Sequence, residues 1–328
     1  MLPRMRSSAC DSRNPETLAI PWDAAYSRPM VSQFNRNPDL SPKEAKFLRE
    51  FLSRQGLPGL EALHALHGGR TSRVWKVVSA ARTPLIAKLS RQIDSTEMFP
   101  NAPDQEWRAL IKLCANGVAP APVAFASNGA VGSVLLLHAA DRDAAPDASN
   151  LARLLLRIHR IEPWDDLPRL PMTPDAILQD GNAMLRQAGA TAWLSGMRPK
   201  PPLLPITLDA RLIHRDLVPA NTAVVDGRHV AIDWQCPSIG DPAEDLAHAS
   251  SPAMQSLAKG VPRIAARDLV AAYPDRDVRA RFRQMEPLYR WRMACYCHLQ
   301  ASRGAAAYEQ AVTLECEALE QACRQAHR

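Results

Sequence analysis

The hydrophobic pattern of this chain changes character near residue 140, and that change limits the folds open to it. Before it, the apolar runs are of strand length. Residues 73–79 (RVWKVVS) and 84–89 (PLIAKL) are dense in β-formers, with Arg82-Thr83-Pro84 between them. Residues 122–127 and 131–137 form a second pair, joined by Asn128-Gly129, a dipeptide that tolerates the positive φ of a tight hairpin. A helix is predicted between the pairs, over 103–116, with Trp107, Leu110, Ile111 and Leu113 apolar and Gly117 placed to cap it. Ahead of the strands, Ser41-Pro42-Lys43-Glu44 has the form of a helix start, and Ala45, Leu48, Phe51 and Leu52 continue it as one apolar face up to Gly56. Beyond 140 the period lengthens to that of helices. Leu151, Leu154, Leu155 and Ile158 mark one over 147–161; others are predicted over 174–190, 243–250, 263–273 and, as two, 278–326. The expected fold is α+β: an irregular arm over 1–40, a small β-rich N-terminal lobe over 41–140 and a larger helical C-terminal lobe over 141–328.

Composition narrows the classes without choosing among them. The chain has 328 residues, with 46% apolar and 23% charged, enough for a sizeable core. No apolar run approaches the roughly 20 residues that cross a bilayer, and a cytoplasmic protein without membrane insertion is expected. Seven cysteines are scattered without paired metal-binding spacing. The net charge of +6 comes from arginines spread along the whole chain, without a nucleic-acid motif, so no nucleic-acid partner is expected.

The chemistry concentrates between Leu212 and Asp233, LIHRDLVPANTAVVDGRHVAID. His214-x-Asp216 is followed five residues later by Asn221; a short hairpin then turns at Asp226-Gly227, and its second strand, VAID, ends in Asp233. Phosphoryl transfer asks little covalent work of a protein; it needs an aligned hydroxyl and cations that absorb charge. Asp216 is suited to accept the hydroxyl proton. Asn221 and Asp233 offer the hard oxygens that Mg²⁺ prefers. His214 is expected to fix the loop.

Together with Ile232-Asp233-Trp234-Gln235 and Gly240-Asp241-Pro242-Ala243-Glu244-Asp245-Leu246-Ala247, this stretch resembles the aminoglycoside phosphotransferase and choline kinase superfamily. The resemblance spans roughly 60–300. It implies a bilobal protein-kinase-like fold, ATP and Mg²⁺ as cofactors, Asp241 capping the next helix and Asp245 buttressing the catalytic loop. It also assigns Lys88, in Leu85-Ile86-Ala87-Lys88-Leu89, to the nucleotide phosphates, with Glu106 as its partner. Gly68, Gly69, Thr71 and Ser72 fall where a phosphate-covering loop belongs. Gln235 departs from the Glu usual after Asp-Trp in choline- and thiamine-kinase-like relatives.

Seven residues separate Asp233 from Asp241 and no Ala-Pro-Glu follows, which leaves no room for a peptide-docking segment. A small-molecule hydroxyl is therefore the expected acceptor. The segment after Asp233 holds no acid until Asp241, which favours a choline-, ethanolamine- or thiamine-type amino alcohol over a polycationic aminoglycoside. Tyr289, Trp291 and Tyr296 are candidates for an aromatic ammonium site. A nucleotide-binding pseudokinase is the alternative from another class. The oligomeric state is left open.

Overall fold

The computed structural model describes residues 40–57, 60–66, 72–79, 84–91, 95–142, 144–189, 192–203, 206–258 and 260–326. The predicted arm and the glycine-containing stretch, with Gly68, Gly69 and Thr71, lie outside them; Ser72 lies inside. The chain divides into two compact units: residues 1–95 with 101–139, and residues 96–100 with 140–328.

The N-terminal unit opens with α1 (Pro42–Arg54), closed by a capping box in which the Ser41 side chain accepts from the Glu44 N–H and the Glu44 carboxylate accepts from the Ser41 N–H. Its strands are β1 (Leu60–Leu66), β2 (Ser72–Ser79) and β3 (Leu85–Ser90); α2 (Pro103–Cys114) follows, then β4 (Pro122–Asn128) and β5 (Gly132–His138). They form one antiparallel sheet in the order β1-β2-β3-β5-β4. Alternation along the strands sends Trp75, Val77, Ala87, Leu89, Val134 and Leu136 into a core with Leu48, Phe51 and Leu52 of α1. The strand β1 was not resolved from the sequence, whose LEALHAL lacks β-branched residues.

The C-terminal unit contains α3 (Ala148–His159), α4 (Pro174–Gln187), α5 (Ala192–Gly196), β6 (Arg211–Ile213), a 3₁₀ turn (Pro219–Asn221), the hairpin β7 (Thr222–Val225) and β8 (Arg228–Ala231), β9 (Ser238–Gly240), α6 (Pro242–Ala249), α7 (Pro252–Ser256), α8 (Ala266–Ala272), α9 (Arg276–Ser302) and α10 (Ala307–Ala326). The hairpin turns at Asp226 (φ 48°) and Gly227 (φ 73°), the paired left-handed residues of a tight two-residue turn. The expected strand through Asp233 is shorter: β8 stops at Ala231. The seven residues after Asp233 hold a strand the sequence did not betray, β9, which pairs with β6 and so closes off residues 214–237 between them.

The core of this unit is built around α9, which packs against α4, α6 and α10. A Cβ on Gly181 of α4 would overlap the Trp291 ring, so glycine permits the close approach of α4 and α9. Several arginines are interior, each with an acid: Arg281 with Asp241, Arg290 with Glu286 and Glu315, Arg292 with Glu244. Charges at such depth are tolerated only when paired.

Candidate active site

β6 delivers the chain into the loop His214–Asn221, where Arg215 adopts a left-handed φ of 70°. That conformation costs about 1–3 kcal/mol in a non-glycine residue and needs external support. Asp245, on α6, supplies it. Its two carboxylate oxygens accept from the His214 N–H (2.8 Å) and the Arg215 N–H (2.7 Å). His159 Nε2 lies 3.1 Å from the same carboxylate, and His159 Nδ1 lies 2.7 Å from the Tyr273 hydroxyl. Burial alone would raise the Asp245 pKa; the bonds and charge of His159, with those of His214, outweigh it and leave the carboxyl below its ordinary value. The Arg215 guanidinium donates to the Met98 carbonyl, fixing the other side of the loop.

His214 ties the loop to the segment bearing Asp233. Its Nε2 is 3.0 Å from the Ile232 carbonyl, which can only accept, so this nitrogen carries the proton. The opposite nitrogen then accepts from the Asp216 N–H (3.3 Å). The buried ring rests against Trp234 at 4.4 Å between centroids, and Trp234 donates to the Ala231 carbonyl.

Asn221 binds back onto Asp216. Its amide N–H₂ donates to the Asp216 carbonyl (2.7 Å) and to the Asp216 carboxylate (3.2 Å). With the nitrogen so engaged, Oδ1 is the end left for a cation. The Ile232 N–H donates to the Asn221 carbonyl (3.0 Å), so Asp233 follows one residue beyond a backbone bond to Asn221. Asp233 is half-buried and sits at φ 65°, a second strained position at the site. Among the described residues no cluster of three or more His, Cys, Asp or Glu forms an all-protein metal cage. One amide oxygen and one carboxylate is the donor set of an ion shared with phosphates: Mg²⁺ keeps several waters and takes one or two protein ligands. The residues present fit that ion.

In the N-terminal unit, Lys88 on β3 reaches Glu106 on α2, its ammonium 2.9 and 2.7 Å from the two carboxylate oxygens. Both side chains are buried. The Ser72 hydroxyl lies 2.8 Å from that of Ser90 on the neighbouring strand.

Asp241 caps α6 through the Ala243 N–H (2.9 Å), and its second oxygen accepts from Arg281 (2.8 Å) and from the Tyr289 hydroxyl (2.9 Å). Two of the three aromatic candidates are thereby engaged in the interior. Tyr289 is spent on Asp241. Trp291 is fully buried, with its indole N–H on the Leu194 carbonyl. Tyr296 is also buried and packs edge-on against Phe99 (5.0 Å) and Tyr308 (5.9 Å). Gln235 is buried too.

Several residues of this network escaped the sequence reading: His159, Tyr273, Arg281, Arg292 and His248. Only the i, i+4 spacing of Glu244 and His248 left a local signal. The other pairs are 40 or more positions apart.

The family model of the APH phosphotransferase enzyme family matches residues 62–284, more than half of the chain. No curated protein sequence matches significantly. Among solved structures, an aminoglycoside phosphotransferase APH(4)-Ia, a thermostable mutant in ternary complex with AMP-PNP and hygromycin B, is similar with a TM-score of 0.58 at 13% identity, covering 85% of this chain and 97% of that one. The macrolide 2′-phosphotransferase MphH of Brachybacterium faecium gives 0.52 at 19% identity, with 82% and 97% covered. A choline/ethanolamine kinase family protein of Mesorhizobium loti gives 0.52 at 15%, with 79% and 88% covered. At these identities the likeness establishes a protein-kinase-like fold.

Proposed function

Because this chain belongs to the APH phosphotransferase family, we propose that it is an ATP- and Mg²⁺-dependent kinase that moves the γ-phosphate onto a hydroxyl of a small molecule. The observation that carries this reading is the joint fixation of Asp216, Asn221 and the segment of Asp233 by one set of hydrogen bonds. Asp216 takes the proton of the acceptor hydroxyl as its oxygen forms the bond to the γ-phosphorus and the bond to the β-phosphate oxygen breaks. Asn221 and Asp233 would hold Mg²⁺, which supplies positive charge against the phosphates. Lys88, oriented by Glu106, donates to the nucleotide phosphates. Asp245 acts on the chemistry only through the loop it clamps.

The finer reading is an amino-alcohol acceptor of the choline, ethanolamine or thiamine type. The interior acids Asp241, Glu244, Glu286 and Glu315 already hold arginines, and Asp245 holds His159. A polycationic antibiotic would need several carboxylates free of such partners. A single ammonium needs far less, one aromatic face or one carboxylate. The test is ATP consumption with Mg²⁺ over a panel of amino alcohols, sugars and aminoglycosides. Turnover with an amino alcohol, absent in Asp216→Ala, supports the reading. Turnover only with an aminoglycoside overturns the finer part, and no turnover with any hydroxyl compound overturns the whole. A pseudokinase would bind Mg·ATP without consuming it.

A further inference from the structure

The C-terminal unit treats its cations in two ways. Three interior arginines, Arg281, Arg290 and Arg292, each meet an acid, as described above. A groove of about 1470 Å³ on the same unit does the opposite. Arg198 and Lys200 from the connector after α5, Arg263 and Arg267 around the start of α8, and Arg283 on α9 all line it, and all five are exposed. Its one carboxylate is Glu286, and that already accepts twice from Arg290 (3.2 and 3.0 Å). Among the described residues, only Arg267 of the five exposed cations has an ion-pair partner, Asp268. Cations from three separate segments thus converge on a concavity with no free acid to balance them.

The groove is also built to keep its shape. Pro199, Pro201 and Pro202 restrict the connector. The buried Gln255 side chain bonds the Ile264 N–H (2.7 Å), the Ile264 carbonyl (2.9 Å) and the Ala249 carbonyl (2.8 Å), pinning the segment that presents Arg263. Arg290 fills the floor, bound to Glu286, Glu315 and the Ser250 hydroxyl. Cations gathered in a preformed concavity repel one another unless an anion joins them, and a concave site of one sign concentrates the opposite charge.

We propose that this groove is a second ligand site, separate from the catalytic loop, for a small molecule carrying several phosphate groups. Guanidinium forks match phosphate oxygens in pairs, and four of the five exposed cations are arginines. Neutral side chains at the rim, Gln321 and Gln325, can add hydrogen bonds. The chemistry does not suit single-stranded nucleic acid, because the one aromatic in the lining, Phe282, is buried and offers no stacking face. None of Asp216, Asn221, Asp233, Lys88 or Glu106 lines the groove.

The experiment is calorimetric titration of the full chain with its nucleotide site saturated by Mg·AMP-PNP. The probes are myo-inositol hexakisphosphate, inorganic phosphate and a 20-nucleotide single strand. The expected result is saturable binding of the hexakisphosphate that weakens with salt, and weak or absent binding of inorganic phosphate. Arg198→Glu/Arg263→Glu/Arg283→Glu, and the same three positions changed to Gln, should weaken the hexakisphosphate at least tenfold while thermal midpoint and ATP turnover stay as in the parent. Absence of saturable binding, an affinity in both variants equal to the parent's, or tighter binding of the oligonucleotide would overturn the proposal. Loss of the proposed kinase activity in the parent leaves this titration unaffected, so the two readings fail separately.

Discussion

Two carboxylates, one in each unit, hold the groups to which the proposed phosphoryl transfer is assigned, and they do so differently. Glu106 holds Lys88 through a two-point contact between opposite charges, both buried. Asp245 spreads its charge over the His214 N–H, the Arg215 N–H and His159. It shares the loop with further ties, from His214 to Ile232 and from Arg215 to Met98. A contact of the first kind concentrates its cost in one event, because removing either partner strands a charge out of water. A network of the second kind loses one bond at a time and keeps the loop roughly in place. The difference teaches where stability and catalysis separate.

The largest effect is expected at the concentrated contact. Lys88→Ala should cost about 3–5 kcal/mol of stability by taking the ammonium away from the buried Glu106 carboxylate. Lys88→Met with Glu106→Leu should recover most of that loss in urea unfolding while turnover stays low. Recovery of both would mean that Lys88 is structural only. Asp245→Asn comes next, at about 2–3 kcal/mol, since one amide cannot accept from all three donors. Its signature is a fall in kcat larger than any change in KM for ATP. Equal stability loss to Lys88→Ala with kcat intact would erase the distinction drawn between the two sites.

Solution pH probes the network from a neighbouring residue. Burial pushes His248 down to about 4, opposed by Glu244 and helped by Arg292 and Arg215. Its unfolded value is about 6.5. Between these values the unfolded chain binds a proton that the folded chain does not, so stability falls as pH drops through this window. The loss should be about 2 kcal/mol at pH 5 relative to pH 8. His248→Gln should flatten that slope, which chemical denaturation at the two pH values would reveal. The Asp245 carboxyl has the opposite shift for its type, and its contribution is kept until the pH falls below the ordinary carboxylate range. The smallest effect is expected from Tyr273→Phe, about 1 kcal/mol, because it removes one hydrogen bond to His159 and leaves the His159–Asp245 contact.

The same contrast explains what could be read from the amino-acid sequence. His214, Asp216 and Asn221 stand within eight residues, so their spacing alone suggested that they act together. The capping residues Ser41 and Asp241 were legible for the same reason, since a cap is a local event. The left-handed turn at Arg215 was not, because its support comes from Asp245, far along the chain. Nor was β9, whose three residues make a strand only by pairing with β6. On α9 the aromatic stripe suggested a ligand cage, but the spacing could not reveal that Asp241 claims Tyr289 or that Gly181 admits Trp291. Arg281 and Arg292 of the same helix were equally silent, because their acids, Asp241 and Glu244, lie outside it; Arg290 has Glu286 four residues away, but its second acid, Glu315, is on α10.

The most direct measurement follows ATP and acceptor by ³¹P NMR, with the parent chain and Asp216→Asn assayed side by side over the hydroxyl-compound panel in Mg²⁺. The expected result is a new phosphomonoester signal that grows as ADP appears in the parent. In Asp216→Asn its rate should fall by about 10²–10⁴-fold, with thermal stability within about 1 kcal/mol of the parent. A phosphomonoester formed at the same rate by both proteins would contradict the role given to Asp216. ATP left intact by the parent with every acceptor would contradict the kinase reading itself.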